Sequence, residues 1–327
     1  MAENKKKKGA YRISSFDDSI VYKLSKEKTV TISNNAWEVS ENHLNLFAER
    51  PTELPQVEPI KSDNGLNRLD KYLNISEDEK LLLKVFLVCC FNPSIYLPTI
   101  CIKGESASGK TFLSRMLKTI VDPTTYANFV ANSLTPSDLI VLLSNGYFEV
   151  FDDVYKLSPK RKEMFLLAIT RAFFNREKYG NIESMRYDTR LCFTGNPQFL
   201  EYPDVQDRTL LFTMKSLSGK ELIVVSELYN DFNADLPYIL GGIFDILATA
   251  LDIQQYINLE NPIRLADFHK FGYAVAEAMG GFGDRFTDIL KKHIEYKEVL
   301  NDMLKNDIDY EELNKILENY IGCEDNE

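Results

Sequence analysis

Pro98-Thr99-Ile100-Cys101-Ile102-Lys103 runs into Gly104-Glu105-Ser106-Ala107-Ser108-Gly109-Lys110-Thr111, which runs into Phe112-Leu113-Ser114-Arg115-Met116-Leu117-Lys118-Thr119-Ile120. The first block is short and almost continuously apolar, the pattern of a strand buried on both faces. The last block sets Phe112, Leu113, Met116, Leu117 and Ile120 at helical period. Between them, glycines permit a tight curl that turns backbone N–H groups inward, and the following helix offers the positive end of its dipole. Lys110 and Thr111 add an ammonium and a hydroxyl of the kind that meets phosphate oxygens and magnesium. Strand, loop and helix in this order predict a phosphate-binding loop over Gly104, Glu105, Ser106, Ala107, Ser108, Gly109, Lys110 and Thr111. The implied ligands are ATP and Mg2+, and the implied fold is α/β with a parallel sheet.

Such a loop needs a carboxylate partner downstream, and Tyr147 to Phe151 reads as an apolar strand ending in Asp152-Asp153. Asp152 is the expected magnesium residue beside Thr111, and Asp153 the candidate base. Glu149 shares the Asp153 face by alternation and is a weaker candidate base. A further strand, Leu191 to Thr194, ends at Gly195-Asn196-Pro197, where Asn196 either positions a water or simply makes a turn. Arg208, just before the strand Thr209 to Met214, is either a residue aimed at a neighbour's γ-phosphate or an ion-pair partner of Asp207 or Asp204. Arg176 to Tyr187 reads as a β-hairpin around Tyr179-Gly180-Asn181. Its Arg176, Lys178, Tyr179 and Arg186 suit contacts to phosphates and bases, or an edge kept soluble by charge. Arg264 precedes an amphipathic helix and either reaches back to the nucleotide or pairs with Asp267.

Around this centre, Ile20–Leu24, Thr29–Ile32 and Trp37-Glu38-Val39, with a turn at Asn34-Asn35, read as a small β-hairpin. Pro51 to Asp63 carries three prolines and reads as an extended wrap. Ser76 and Glu79 have capping-box spacing before an apolar helix that stops near Asn92-Pro93. Thr135-Pro136 and Ser158-Pro159 open two more helices, the second running to about Phe174. From Lys220 onward the pattern is helical. Residues 1–62 are thus a tail and small β-rich region, 63–218 the nucleotide-binding core, and 219–327 a helical part with an acidic tail.

The 327 residues carry a net charge of −11, which argues against a dedicated nucleic-acid coat. Yet Lys156 to Arg190 holds nine basic residues against four acids, a net of +5, compatible with a narrow basic channel. The 5 cysteines and 3 histidines fit no metal-ligand spacing and read as buried thiols and ordinary side chains. No secretory signal is visible, and the apolar run Leu81 to Phe91 is too short to cross a bilayer, so a cytoplasmic protein without membrane contact is expected.

The order of loop, acidic strand end, hairpin, strand ending in Asn196 and then Asp207-Arg208 resembles the AAA+ ATPases. The hairpin before the asparagine strand resembles the superfamily 3 helicases of small DNA viruses and the helicase-like ATPases of phages and mobile elements. Ala36-Trp37-Glu38-Val39, Val121-Asp122-Pro123 and Arg264-Leu265-Ala266-Asp267-Phe268 are similar to bacterial and phage-borne ATP-binding proteins often found with primases. The resemblance spans residues 30 to 290. It implies a P-loop AAA+ core with a helical C-terminal lid, Asn196 as first sensor, Arg208 as a finger acting on the next subunit and Arg264 as a lid sensor. It also implies a homo-oligomeric ring, usually a hexamer, with the hairpins touching DNA, single-stranded DNA foremost, and a primase as possible partner. Position 153 is aspartate where these families carry glutamate, which leaves the base open. The expected function is an ATP-hydrolysing DNA helicase or translocase in replication of a phage or mobile element. The rivals are an AAA+ loader, initiator or defence switch that remodels a protein, and a P-loop small-molecule kinase, against which the helical C-terminal third argues.

Overall fold

The computed structural model describes residues 10–43, 46–178, 181–195, 203–216, 224–259, 263 and 265–305. The chain opens with an antiparallel meander, β1 (Ile13–Phe16), β2 (Ser19–Lys23), β3 (Lys28–Ser33) and β4 (Ala36–Glu41). A 3-10 helix (Gly65–Tyr72), α1 (Glu77–Cys89), β5 (Thr99–Lys103) and α2 (Lys110–Val121) follow. Next come β6 (Phe129–Val130), α3 (Pro136–Asn145), β7 (Phe148–Val154) and α4 (Pro159–Thr170). A hairpin of β8 (Phe173–Lys178) and β9 (Asn181–Arg186) leads to β10 (Arg190–Gly195), a single turn α5 (Pro203–Gln206) and β11 (Thr209–Thr213). Three helices end the described chain: α6 (Val225–Ile253), α7 (Ala266–Ala278) and α8 (Gly283–Lys305).

The central sheet has the order β11-β5-β10-β7-β6, with every pairing parallel. All five carboxyl ends therefore lie on one edge, where open α/β sheets bind ligands. After β5 the chain crosses to the far edge at β6, returns through β7 and β10, and only then places β11 on the other flank. This makes β5 a switch point in the topology. The helix starts follow from their caps. Ser76 and Glu79 form the expected capping box on α1, Thr135 and Asp138 form another on α3, and proline opens both α3 and α4.

The N-terminal part is a four-stranded sheet rather than a hairpin. β1 was missed because Ile13-Ser14-Ser15-Phe16 is short and its only fully buried residue is Ile13. Asn34-Asn35 is the expected two-residue turn, with Asn35 at φ 60. This sheet shares one core with α1, α2, α6 and α7: Tyr22 packs on Phe91 and Phe244, and Trp37 sits edge-on to Phe244 with its indole N–H donating to Asp245 Oδ1 at 2.7 Å. The wrap is extended as expected. It lies against Gly241 of α6, where an added Cβ would meet the Ile60 carbonyl, and Ile60 N–H donates to Pro237 O; the 3-10 helix that follows sits as closely on Gly242 through the Leu66 nitrogen.

α6 is long and apolar enough to cross a membrane, but Phe232, Leu236, Ile239, Ile243, Phe244 and Leu247 are buried in this core. α4 stops at Thr170, short of the expected Phe174. Arg171 adopts a left-handed cap at φ 51, and the paired aromatics Phe173-Phe174 favour the strand that starts there. The hairpin accordingly starts earlier than expected, pairing Phe173 with Arg186.

Candidate functional site

The Gly104–Gly109 loop leaves β5 at its carboxyl end and enters α2 at Lys110. Its curl is set by positive φ at Gly104 (146), Ala107 (64) and Gly109 (96). A Cβ on Gly104 would lie 2.8 Å from Ser108 Oγ and 2.9 Å from Met214 Cβ, so only glycine fits there. Lys110 Nζ donates to Gly104 O at 2.8 Å and also to Glu105 O. Ser108 Oγ is buried with no hydrogen-bond partner among the described residues. Ser216 Oγ donates to Glu105 Oε2 at 2.7 Å, tying the loop to the segment after β11.

β7 brings its acids to the same edge. Asp152 Oδ1 accepts from Thr111 Oγ1 at 3.2 Å, from the Asp153 backbone N–H at 3.1 Å and from Thr194 Oγ1. Asp152 Oδ2 accepts from Asn128 Nδ2 at 2.7 Å, and Asn128 Oδ1 in turn accepts from Arg115 Nε at 3.0 Å. The Arg115 bond fixes the amide so that its NH2 faces the carboxylate. Asp153 N–H also donates to Thr194 Oγ1 at 3.0 Å. Asp153 stands exposed at φ 52, an uncommon state for a residue other than glycine and one that tends to gather at functional sites. Gly195 at φ 109 lets β10 pass so close to Val154 that a Cβ would lie 2.8 Å from its carbonyl.

The expected loop, Thr111, Asp152 and Asp153 therefore meet on one edge of the sheet. Thr194, Asn128 and Arg115 complete the group and were not anticipated. Thr194 had a signal, a polar residue closing the apolar strand Leu191-Cys192-Phe193, whereas Asn128 lies in a loop whose sequence has none. Glu149 is a correction. It lies near the amino end of β7, buried, 3.3 Å from Lys118 Nζ, and three residues of strand, about 10 Å, separate it from Asp152. Burial pushes its carboxyl up despite the lowering effect of Lys118, and strand alternation fixed its face but not its depth along the strand.

Arg208 precedes β11 at the amino edge, where its carbonyl accepts from Thr99 N–H at 2.8 Å. The register Thr209↔Thr99 to Thr213↔Lys103 puts it roughly 15 Å from the loop of its own chain. The hairpin also leaves from the amino edge, since α4 has carried the chain back there, and Arg171 at its base lies over the Tyr96 ring at 4.5 Å. Arg176, Lys178 and Arg186 fall on the hairpin strands. Tyr179, Asn196 and Arg264 lie outside the described residues. Among the described residues no cluster of His, Cys, Asp and Glu forms a metal-binding group of its own.

The model of the actinomycete integrative conjugative element replication protein family matches residues 66–287. The chain belongs to this family. The match covers the parallel sheet, the edge site and the helices through the start of α8, and it makes the chain a replication protein of a mobile element. No curated protein matches this replication protein. Among solved structures it is similar to the apo C-terminal region of NrS-1, at 13% identity and a TM-score of 0.41, covering 93% of this chain and 83% of that one. The A form of the same region gives 14% identity, with the same coverage and score.

Proposed function

We propose that this replication protein is a magnesium-dependent ATPase of the AAA+ type, built on a P-loop core, that moves along or unwinds DNA as its element replicates. One observation carries the reading: the Lys110 loop, Thr111 and Asp152 meet at the carboxyl edge of a parallel sheet, with Thr111 Oγ1 3.2 Å from Asp152 Oδ1. The residues fit a triphosphate. The loop is curled by three positive-φ residues, its ammonium rests on two of its own carbonyls, and a buried hydroxyl is unsatisfied. Lys110 would exchange those carbonyls for phosphate oxygens, while Thr111 and Asp152 would hold the magnesium ion. The bound nucleotide supplies the phosphoanhydride bond whose hydrolysis drives movement.

The Asn128 amide and the Thr194 hydroxyl hold the Asp152 carboxylate by its two oxygens, so little reorganisation is left for the reaction. Asp153 and Asn196 are the candidates for orienting water. Arg208, at the far edge of its own sheet, suits action on a neighbour's site and hence a homo-oligomeric ring. Arg264 would reach the nucleotide from the lid, and the β8–β9 hairpin with Arg176, Lys178, Tyr179 and Arg186 would grip single-stranded DNA, with a primase as a working partner. The net charge of −11 favours one other reading, an AAA+ switch that remodels a protein.

The test is steady-state ATP hydrolysis by the full chain with and without single-stranded DNA, with Lys110→Ala as blank. Hydrolysis abolished in the variant and raised by DNA is the expected result. Hydrolysis indifferent to DNA transfers the case to the remodelling switch, and absence of nucleotide binding removes both.

A further inference from the structure

Directly beyond the acid pair the chain reads Val154-Tyr155-Lys156-Leu157-Ser158-Pro159-Lys160-Arg161-Lys162, four cations and no acid in a protein of net charge −11. Tyr155 is 60% exposed, and Lys156 and Lys160 are exposed with it. The segment is nevertheless held in place. Leu157 packs against the core that contains Phe151 and Phe165. The Arg161 guanidinium donates to Leu134 O at 2.8 Å and to Ser158 Oγ at 3.2 Å. A large ring left in water on an anchored loop, next to an exposed lysine and five residues before another, gains nothing for folding by its exposure. It is preorganised for a ligand with a flat apolar face and a negative backbone.

We propose that Tyr155, Lys156 and Lys160 form a contact for single-stranded nucleic acid on the nucleotide edge of the sheet, distinct from the hairpin on the opposite edge. Unpaired bases offer the face that Tyr155 can stack on, which a duplex keeps internal, and the lysines follow the phosphates. The two contacts lie at opposite ends of α4, about 18 Å of helix apart. Only Val154 separates Tyr155 from Asp153, whose backbone N–H is bonded to Asp152 and Thr194. A strand held at Tyr155 therefore pulls directly on the acid pair. Binding stands independently of the ATPase reading, while this coupling rests on it.

The experiment measures binding of a fluorescent oligo-dT to the full chain by anisotropy across a salt series, with sedimentation velocity alongside. Tyr155→Ala is expected to weaken binding about tenfold without changing the salt slope. Lys156→Ala with Lys160→Ala should lower that slope by about 1.4, the value for two phosphate contacts on a single strand. Both effects should persist on a Lys110→Ala background, so failure of the ATPase reading leaves them intact. Unchanged oligo-dT affinity in folded Tyr155→Ala and in the lysine pair overturns the proposal. If those same variants instead shift the sedimentation coefficient, the surface belongs to a contact between copies of the chain. A duplex that binds as tightly as the single strand, with Tyr155→Ala affecting neither, refutes stacking.

Discussion

Replacing Asp122 by asparagine should be among the most damaging single changes in the molecule. The carboxylate is fully buried at the end of α2. It accepts from Arg12 Nε at 3.2 Å, from Arg50 through both terminal nitrogens, and from the backbone N–H groups of Tyr147 and Phe148 at 3.2 and 3.3 Å. Lys118 Nζ lies 3.3 Å from Oδ2. Burial alone would raise its pKa, but Lys118, Arg50 and Arg12 outweigh that and hold the carboxyl far below the usual range. Removing the charge leaves three buried cations facing Glu149 and Glu53 only, and an uncompensated buried charge costs about 3–5 kcal/mol. At about 2–4 °C per kcal/mol for a domain of this order, the thermal midpoint of Asp122→Asn should fall by roughly 6–20 °C. The folded pKa is depressed, so the wild-type contribution is complete above the ordinary carboxylate value of about 3.9, and the deficit should be equal at pH 6 and pH 8. Removing a cation as well, in Asp122→Asn with Arg50→Met, should recover part of the loss. Differential scanning fluorimetry and urea unfolding provide the measurement. The exposed pair Lys28–Glu58 serves as a control worth under about 1 kcal/mol. A fall of less than about 2 °C, or no recovery in the double variant, refutes the charge argument.

Asn128→Ala should raise the magnesium concentration needed for nucleotide binding by about 10–100-fold while leaving the thermal midpoint close to wild type. A magnesium titration with a fluorescent ATP analogue checks this, and an unchanged requirement removes Asn128 from the site. Glu149 has a folded pKa raised by burial, so the folded state holds its proton more tightly and wild-type stability declines as pH rises from 4.5 toward the folded pKa. Glu149→Gln lacks that decline and should gain on wild type across the same window in urea unfolding, whereas a constant difference would show that the carboxyl stays ionised. Arg208→Ala and Lys110→Ala, each inactive alone, should restore measurable hydrolysis when mixed, because each contributes what the other's interface lacks. Mixtures no better than their parts would place Arg208 outside the reaction.

The loop, the acid pair and the parallel sheet were legible because each depends on local pattern: glycine spacing for the curl, an apolar run for the strand, and polar residues at its carboxyl end. The capping box at Ser76 and the N-cap at Thr135 were legible for the same reason. What was hidden depends on position in space. Asn128 reaches Asp152 from a loop, and Arg115 holds Asn128 from a helix face, and neither stretch of sequence carries a signal. Strand alternation assigned Glu149 a side but no depth, since period 2 does not record position along the strand. β1 was lost because an edge strand with two serines has too little apolar pattern to separate it from a loop.

Arg12, just before that missed strand, shows why it matters. Its side chain is fully buried and donates to Asp122, to Lys23 O, to Leu54 O and to Pro123 O, joining the N-terminal sheet and the wrap to the end of the helix that starts at Lys110. Gln56 adds amide bonds to Thr119 O and Ile120 O in the last turn of the same helix. The family match begins at residue 66, yet residues 12 to 56 supply much of what satisfies the carbonyls and the carboxylate at the end of α2. A chain begun at residue 66 would lose the Arg12 and Arg50 partners of Asp122 and strip an apolar sheet from Phe91 and Phe244. The helix that carries Lys110 and Thr111 is therefore anchored at its far end by the N-terminal sheet, and the rigidity of the edge site depends on residues the family match does not cover.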